Sequence, residues 1–285
     1  MSIAVTSPSA RANRGPVFWG LPLWAVAILG MVFLLACLPV LVPSVNPIRL
    51  HPDNALAPVG QWPFLLGTDD LGRDLLARLA VGAQVSLVVS LATAAIGMGV
   101  GGLYGMLAAW WGGRAEQVLL RGIDVIYSLP GLMVVILLAV YLGRTVESLV
   151  LALAFLSWPD TARLVHGEMV RLRESACVEA YASMGGGSAR LLRTFFLPSV
   201  WPTLLVSAML TVPRSLLTES SLSFIGLGVQ PPLTSWGRLA SDGWQLVRLA
   251  PQLLLIPALA IVLTMMALLA VGDRLKASLP QQGSD

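Results

Sequence analysis

The residue types that do chemistry are scarce and scattered in this sequence. Among 285 residues there are two histidines, His51 and His166, two cysteines, Cys37 and Cys177, and one lysine, Lys276. The histidines stand far apart with no second ligand at helical spacing, so neither a metal site nor a His-based catalytic site is expected. Cys37 lies in an apolar run and Cys177 in a loop, neither beside a histidine, which predicts neither a structural disulfide nor thiol chemistry. Gly97, Gly99 and Gly102 spell G-x-G-x-x-G, but that fingerprint holds a dinucleotide only between a strand and a helix, and here it lies in an apolar stretch. Gly97, Gly101 and Gly105 recur every fourth residue instead, which predicts a smooth helix face for close packing. A phosphate-binding loop needs a lysine after its glycines, and Lys276 has no such loop before it. The expectation is a chain with no catalytic residue, no metal site and no ATP site of its own.

Most of the chain around these residues reads as membrane helices. Hydrophobic residues make up 56% of the chain and charged residues 12%, against about a quarter charged in soluble domains, and the mean hydropathy is +0.79. Six apolar runs are long enough to cross a bilayer: Val17 to Val42, Gln84 to Trp111, Ile123 to Leu142, Ser148 to Val165, Val200 to Ile225 and Pro251 to Val271. The first is too long, and too poor in a small-residue cleavage site, for a removable signal peptide. Counting Lys and Arg on alternate sides puts ten (Arg11, Arg14, Arg114, Arg121, Arg171, Arg173, Arg190, Arg193, Arg274, Lys276) against six (Arg49, Arg73, Arg78, Arg144, Arg238, Arg248). That bias places both termini in the cytoplasm. The expected organisation is a cytoplasmic tail over 1–16, a transmembrane domain over 17–272 and a second tail over 273–285. Within the domain are an outer amphipathic segment over 43–83, a cytoplasmic loop over 166–198 and an outer loop over 226–250. A net charge of +3 fits such a protein without any nucleic-acid partner.

Against this background the charged residues within and beside the spans stand out. In "LGTDDLGRDLLARLAVGAQVSL", Leu66 to Leu87, Thr68 is predicted to cap a helix with Asp69 and Asp70 in its first turn, and Asp69/Arg73 and Asp74/Arg78 stand four apart. Charges in hydrocarbon are costly and face a bundle interior or a wet path. Asp160 and Arg163, three apart, are predicted to neutralise each other. Arg214 follows Pro213 near mid-membrane, and Ser215, Thr218, Glu219, Ser220, Ser221 and Ser223 follow it. Arg214, Ser215, Thr218, Glu219 and Ser223, with Asp160 and Arg163, are the candidates to line a translocation path or face a partner subunit.

The stretch "VEAYASMGGGSARLLRTFFLP", Val178 to Pro198, is polar and glycine-rich between two apolar runs. A helix from about Arg171 is predicted to reach Met184, with Gly185 supplying a left-handed corner, Ser188 capping a second short helix and Pro198 stopping it. The spacing Glu179-Ala180-Tyr181, three residues, Gly185, nine residues, Phe195-Phe196-Leu197-Pro198 resembles the EAA loop of membrane subunits of bacterial ABC importers, E-A-A-x3-G-x9-I-x-L-P. Tyr181 and Phe195 are its two departures. The stretches "GTDDLGRDLLARLAVGAQVSL", "RGIDVIYSLPGLMVVILL", "ARLVHGEMVRLRE" and "LTESSLSFIGLGVQPPLTSWGRLASDG" extend the resemblance, over nearly the whole chain, to the dipeptide/oligopeptide/nickel permeases, and to the shorter, C-type subunit among them.

That resemblance implies an all-α fold of six transmembrane helices, the type I ABC importer permease fold, in a bacterial inner membrane. It implies two ATPase subunits that bind ATP and Mg, a second, non-identical permease and an extracytoplasmic substrate-binding protein. Glu179, Ala180, Tyr181, Met184, Gly185, Arg190, Arg193, Leu197 and Pro198 would form the knob that docks on an ATPase. Peptides are the first substrate class, with nickel or a metal chelate behind them. The rival is an ion-gradient transporter using Glu219, Arg214 and Asp160/Arg163 as a proton relay, which predicts inverted repeats; no repeat is visible in the sequence.

Overall fold

The computed structural model describes residues 22–42, 46–185 and 187–278, and every regular element among them is helical. The expected tail over 1–16 lies outside the described residues, as do the start of the first run and the Cys177 side chain. The helices are α1 (Leu23–Leu41), α2 (Leu75–Trp111), α3 (Gly113–Ser128), α4 (Gly131–Leu142), α5 (Val146–Arg173), α6 (Ala176–Ser183), α7 (Ser188–Leu191), α8 (Leu197–Phe224), α9 (Trp236–Gln245) and α10 (Gln252–Ser278). Five segments are long and apolar enough to cross a membrane: α1, α2, α5, α8 with the turn before it, and α10. The sixth expected span, Ile123 to Leu142, is broken, because α3 and α4 meet at 83°. Pro130 lacks an N–H and pushes Leu129 into extended backbone, φ −80° and ψ 141°, so the helix stops and restarts.

α2 is the central strut. Its glycine face lies against α5 as the spacing predicts. A Cβ on Gly101 would stand 2.3 Å from the Trp158 carbonyl oxygen, and one on Gly105 2.3 Å from that of Ala162. Backbones this close are possible only where side chains are absent. Val85, Val89, Leu149 and Leu153 close the outer half of this contact with Val135 and Ala139 of α4. Val32 of α1, Leu79 and Ala83 of α2, Leu216 of α8 and Trp236 of α9 form a second cluster. Trp236 is fully buried and its indole Nε1 donates to the Leu79 carbonyl at 3.0 Å. α1 and α10 leave most of their apolar surface uncovered, the arrangement of helices facing lipid.

The outer segment differs from its expected form. No helix starts at Thr68: residues 46–74 form a folded loop, and Asp74 caps α2 by accepting from Leu76 N at 2.9 Å. Gly67 and Gly72 take left-handed backbone, and Asp69 Oδ1 accepts from the amides of Leu71 (3.0 Å) and Arg73 (2.8 Å), so these residues turn rather than wind. Thr68 pins the loop, donating to the Asn54 carbonyl and accepting from Ala57 N at 2.9 Å. Burial pushes the Asp74 carboxyl above its ordinary pKa, against the pull of the Leu76 and Ala77 amides. The Asp69–Arg73 pair forms as predicted, at 2.7 Å. The Asp74–Arg78 pair does not: Arg78 is buried on Asp69 and reaches Asp242 of α9 at 3.2 Å. These charges tie the loop to α9 beside a cavity of about 290 Å³.

Candidate functional site

The polar half of α8 splits into two faces. Thr211, Arg214, Ser215 and Thr218 recur at three and four residues, one side of a helix. They line a cavity of about 220 Å³ with Asp160 and Ser157 of α5 and an apolar wall that includes Leu132, Val135 and Leu153. Glu219 and Ser223 are not among its lining residues. Glu219 is fully buried where α8 meets α2 and α9: its Oε2 accepts from Ser86 Oγ at 3.0 Å and its Oε1 from Ser223 Oγ at 2.7 Å. Trp236 N donates to the same Ser86 hydroxyl at 3.3 Å, so the three elements share one polar knot. A buried carboxylate needs such donors, and here serines supply them. Of the five α8 candidates, Arg214, Ser215 and Thr218 therefore face the cavity, whereas Glu219 and Ser223 lie in the knot.

Asp160 and Arg163 do not pair with each other. Arg214 Nη1 donates to Asp160 Oδ2 at 3.2 Å, and the Tyr127 hydroxyl donates to Asp160 Oδ1. Arg163 turns to α3, where it pairs with Asp124 and lies 4.6 Å over the centre of the Tyr127 ring. Residues three apart on a helix share a face, but partners from α3 and α8 reach these groups first. The outcome is two ion pairs, Asp124–Arg163 and Asp160–Arg214, bridged by Tyr127 across three helices beside the α3–α4 break. The Asp160 and Arg214 side chains are 45% and 72% exposed, so the second pair opens onto the cavity.

The loop between α5 and α8 also departs from its expected outline. α5 ends at Arg173, Glu174 and Ser175 break the helix, and α6 follows; Gly185 turns left-handed at φ +75° as predicted. α7 starts at Ser188, whose side chain lies outside the described residues. Pro198 does not stop a helix. A five-residue π turn, Leu192–Phe196, runs directly into α8, where Pro198 occupies the first turn, a position that needs no amide donor. Val178, Phe196, Val200, Val165, Met169 and Ala109 bury together, seating the loop on the inner ends of α2, α5 and α8. Arg173 adds a strut, its Nη1 donating to the Ala109 carbonyl at 3.1 Å near the end of α2.

The outward side of this unit carries Glu179, Ala180, Gly185, Arg190, Arg193 and Pro198, all exposed, with Tyr181 half-buried. Met184 is 79% and Leu197 52% exposed, two apolar side chains standing among charges. His166, unassigned in the sequence, meets Glu116 with Nε2 and Oε1 2.7 Å apart and joins α5 to α3. Among the described residues no group of His, Cys, Asp and Glu is arranged to hold a metal ion.

Comparison with known proteins agrees with this architecture. The profile of the family described as "Binding-protein-dependent transport system inner membrane component" matches residues 101–282. The chain is 37% identical over 213 residues to the oligopeptide transport system permease protein OppC of Bacillus subtilis (strain 168), covering 75% of this chain and 70% of that one. It is 39% identical over 214 residues to the dipeptide transport system permease protein DppC of the same organism, covering 75% and 67%. With OppC of Escherichia coli (strain K12) the identity is 36% over 260 residues, covering 90% and 86%. Two crystal forms of the inward-facing MetNI methionine ABC transporter share the fold, with TM-scores of 0.55 and 0.58 at 18% and 16% identity. They cover 69% and 70% of this chain and 94% and 96% of the matched one. On the family match, these relatives and its helices, this chain belongs to the binding-protein-dependent transport system inner membrane components, as a multi-pass ABC importer permease in the branch that includes OppC and DppC.

Proposed function

We propose that this chain is the non-catalytic half of a peptide-conducting pore, driven by ATP hydrolysis on two partner ATPases. The observation that carries this reading is the loop unit of α6, α7 and the π turn. It is a small packed body on the inner ends of three spanning helices, with Met184 and Leu197 bare among Glu179, Arg190 and Arg193. A rigid body rooted in several helices can pass movement to all of them, which is what coupling between distant sites requires. In this reading Glu179, Ala180, Tyr181, Met184, Gly185, Arg190, Arg193, Leu197 and Pro198 form the docking surface of the loop over 166–198. ATP and Mg belong to the ATPases.

A second, different permease completes the pore against the open cavity at Asp160, Arg214, Ser215 and Thr218. Glu219 and Ser223 brace that wall from behind. An extracytoplasmic binding protein delivers substrate to the outer loops, over 43–83 and 226–250. Peptides are the substrate class because OppC and DppC, named for oligopeptide and dipeptide transport, are the relatives that support it. Affinity purification from membranes, followed by reconstitution, tests the whole reading. Recovery of two ATPases and a second permease, with uptake that needs ATP and the binding protein, is the expected result. A homogeneous chain that transports alone would refute it.

A further inference from the structure

The Arg214–Asp160 pair is built unlike a structural ion pair. It joins two spanning helices, where charge is costly, yet the Arg214 side chain is mostly open and that of Asp160 nearly half so, and one guanidinium nitrogen makes the 3.2 Å contact. A guanidinium carries five N–H donors in a fork that suits a carboxylate held by two bonds, so Arg214 can take a second anion. Asp160 accepts from Tyr127 on one oxygen and from Arg214 on the other. Neighbouring charges do not compete for the site, because Arg163 is held by Asp124 and the Tyr127 ring. The apolar wall at Leu132, Val135, Leu153 and Leu156 stands opposite.

Charge balance restricts what can enter. A ligand with one charge would draw one partner out of the pair and leave the other uncompensated, whereas a ligand with one positive and one negative end can replace the internal contact at no change in net charge. We propose that this cavity is a transit subsite for zwitterionic peptides. Arg214 receives the terminal carboxylate, Asp160 the terminal ammonium, and the apolar wall a side chain. This inference rests on the permease reading above, and it adds recognition of free peptide ends within the membrane.

Equilibrium dialysis of radiolabelled Ala-Leu against the nucleotide-free complex of both permeases and both ATPases, without the binding protein, tests it. Saturable binding is expected, displaced by unlabelled Ala-Leu but not by its N-acetyl or C-terminal amide derivative. Arg214→Gln should weaken Ala-Leu binding roughly tenfold or more, the scale of a lost charge-assisted hydrogen bond. The blocked peptides probe the unaltered complex, so the test survives if that variant does not assemble. Absence of saturable binding, or equal displacement by blocked peptides, overturns the subsite while leaving ATP-driven uptake, and with it the permease reading, intact.

Discussion

The rings of Tyr181 and Phe195 lie 5.3 Å apart, centre to centre, at 57° to each other. These are the two positions at which the loop departs from the residue types of the E-A-A-x3-G-x9-I-x-L-P pattern, and they meet although they stand fourteen positions apart. The departures form one contact, joining α6 to the π turn across the Gly185 corner. Tilted aromatic pairs contribute about 0.5–1.5 kcal/mol beyond their buried area. In a double-mutant cycle of Tyr181→Ala and Phe195→Ile, read as ATPase docking affinity, the two losses should be non-additive by that amount. Simple additivity would mean that the rings act independently.

At Gly185 the backbone angle, not space, sets the constraint. A Cβ there would meet nothing within 4 Å, but φ is +75°. Gly185→Val should cost about 1–2 kcal/mol or more in loop stability and lower ATP-driven uptake, whereas Gly185→Asn, which tolerates the left-handed region, should recover much of it. Equal loss in both variants would point to a side-chain clash with the partner instead.

Gly101 poses the opposite case. Its would-be Cβ stands 2.3 Å from backbone, so Gly101→Ala must push α2 and α5 apart, at about 1–3 kcal/mol. Gly99, with nothing within 4 Å of its own Cβ position, is the internal control. Thermal inactivation of the purified complex should fall for Gly101→Ala and stay near wild type for Gly99→Ala.

Arg78→Met should destabilise the outer face strongly. Asp69 is 4% exposed and would keep only Arg73 as a cationic partner, and removing one member of a buried pair costs about 3–5 kcal/mol. Pairing the change with Asp69→Asn should return part of that loss. Protease accessibility of the loop over 46–74 is the readout, and a single variant as resistant as wild type would contradict the arrangement.

How much of this was readable in advance depended on the range of each interaction. Apolar run length marked five spans as continuous helices, and fourfold glycine spacing marked a packing face on α2 without naming α5 as its partner, because both signals are local and repeat. The Gly185 corner was legible for the same reason, since one residue type suits one backbone angle. Asp160 and Arg163 misled because spacing along a helix reveals which groups share a face, while Tyr127, Asp124 and Arg214 arrive from elsewhere in the chain. Thr68 misled similarly: a hydroxyl before two aspartates fits a cap, but Asn54 and Ala57 claim it. The burial of Glu219 had a faint sign in the serine at its fourth following residue, yet Ser86 lies 133 positions away. Run length and hydropathy are blind to the break at Pro130, because one proline barely lowers the mean over twenty apolar residues yet removes an amide and bends the chain.

α2 runs unbroken for 37 residues, from its Asp74 cap to Gly112, with no proline within it. At 1.5 Å per residue it is about 55 Å long, well beyond a hydrocarbon core of about 30 Å. Its outer end carries Arg78, and its inner end gives the Ala109 carbonyl to Arg173. A rod of this kind, leaning on α5 at its glycine face, has the geometry of a see-saw with unequal arms. With the pivot at Gly101, a tilt of 5° would swing the outer tip, about 39 Å away, by roughly 3.4 Å and the inner tip, about 15 Å away, by roughly 1.3 Å in the opposite direction. One unbroken beam thereby reaches from the Arg78 charges at one end to the Arg173 strut at the other.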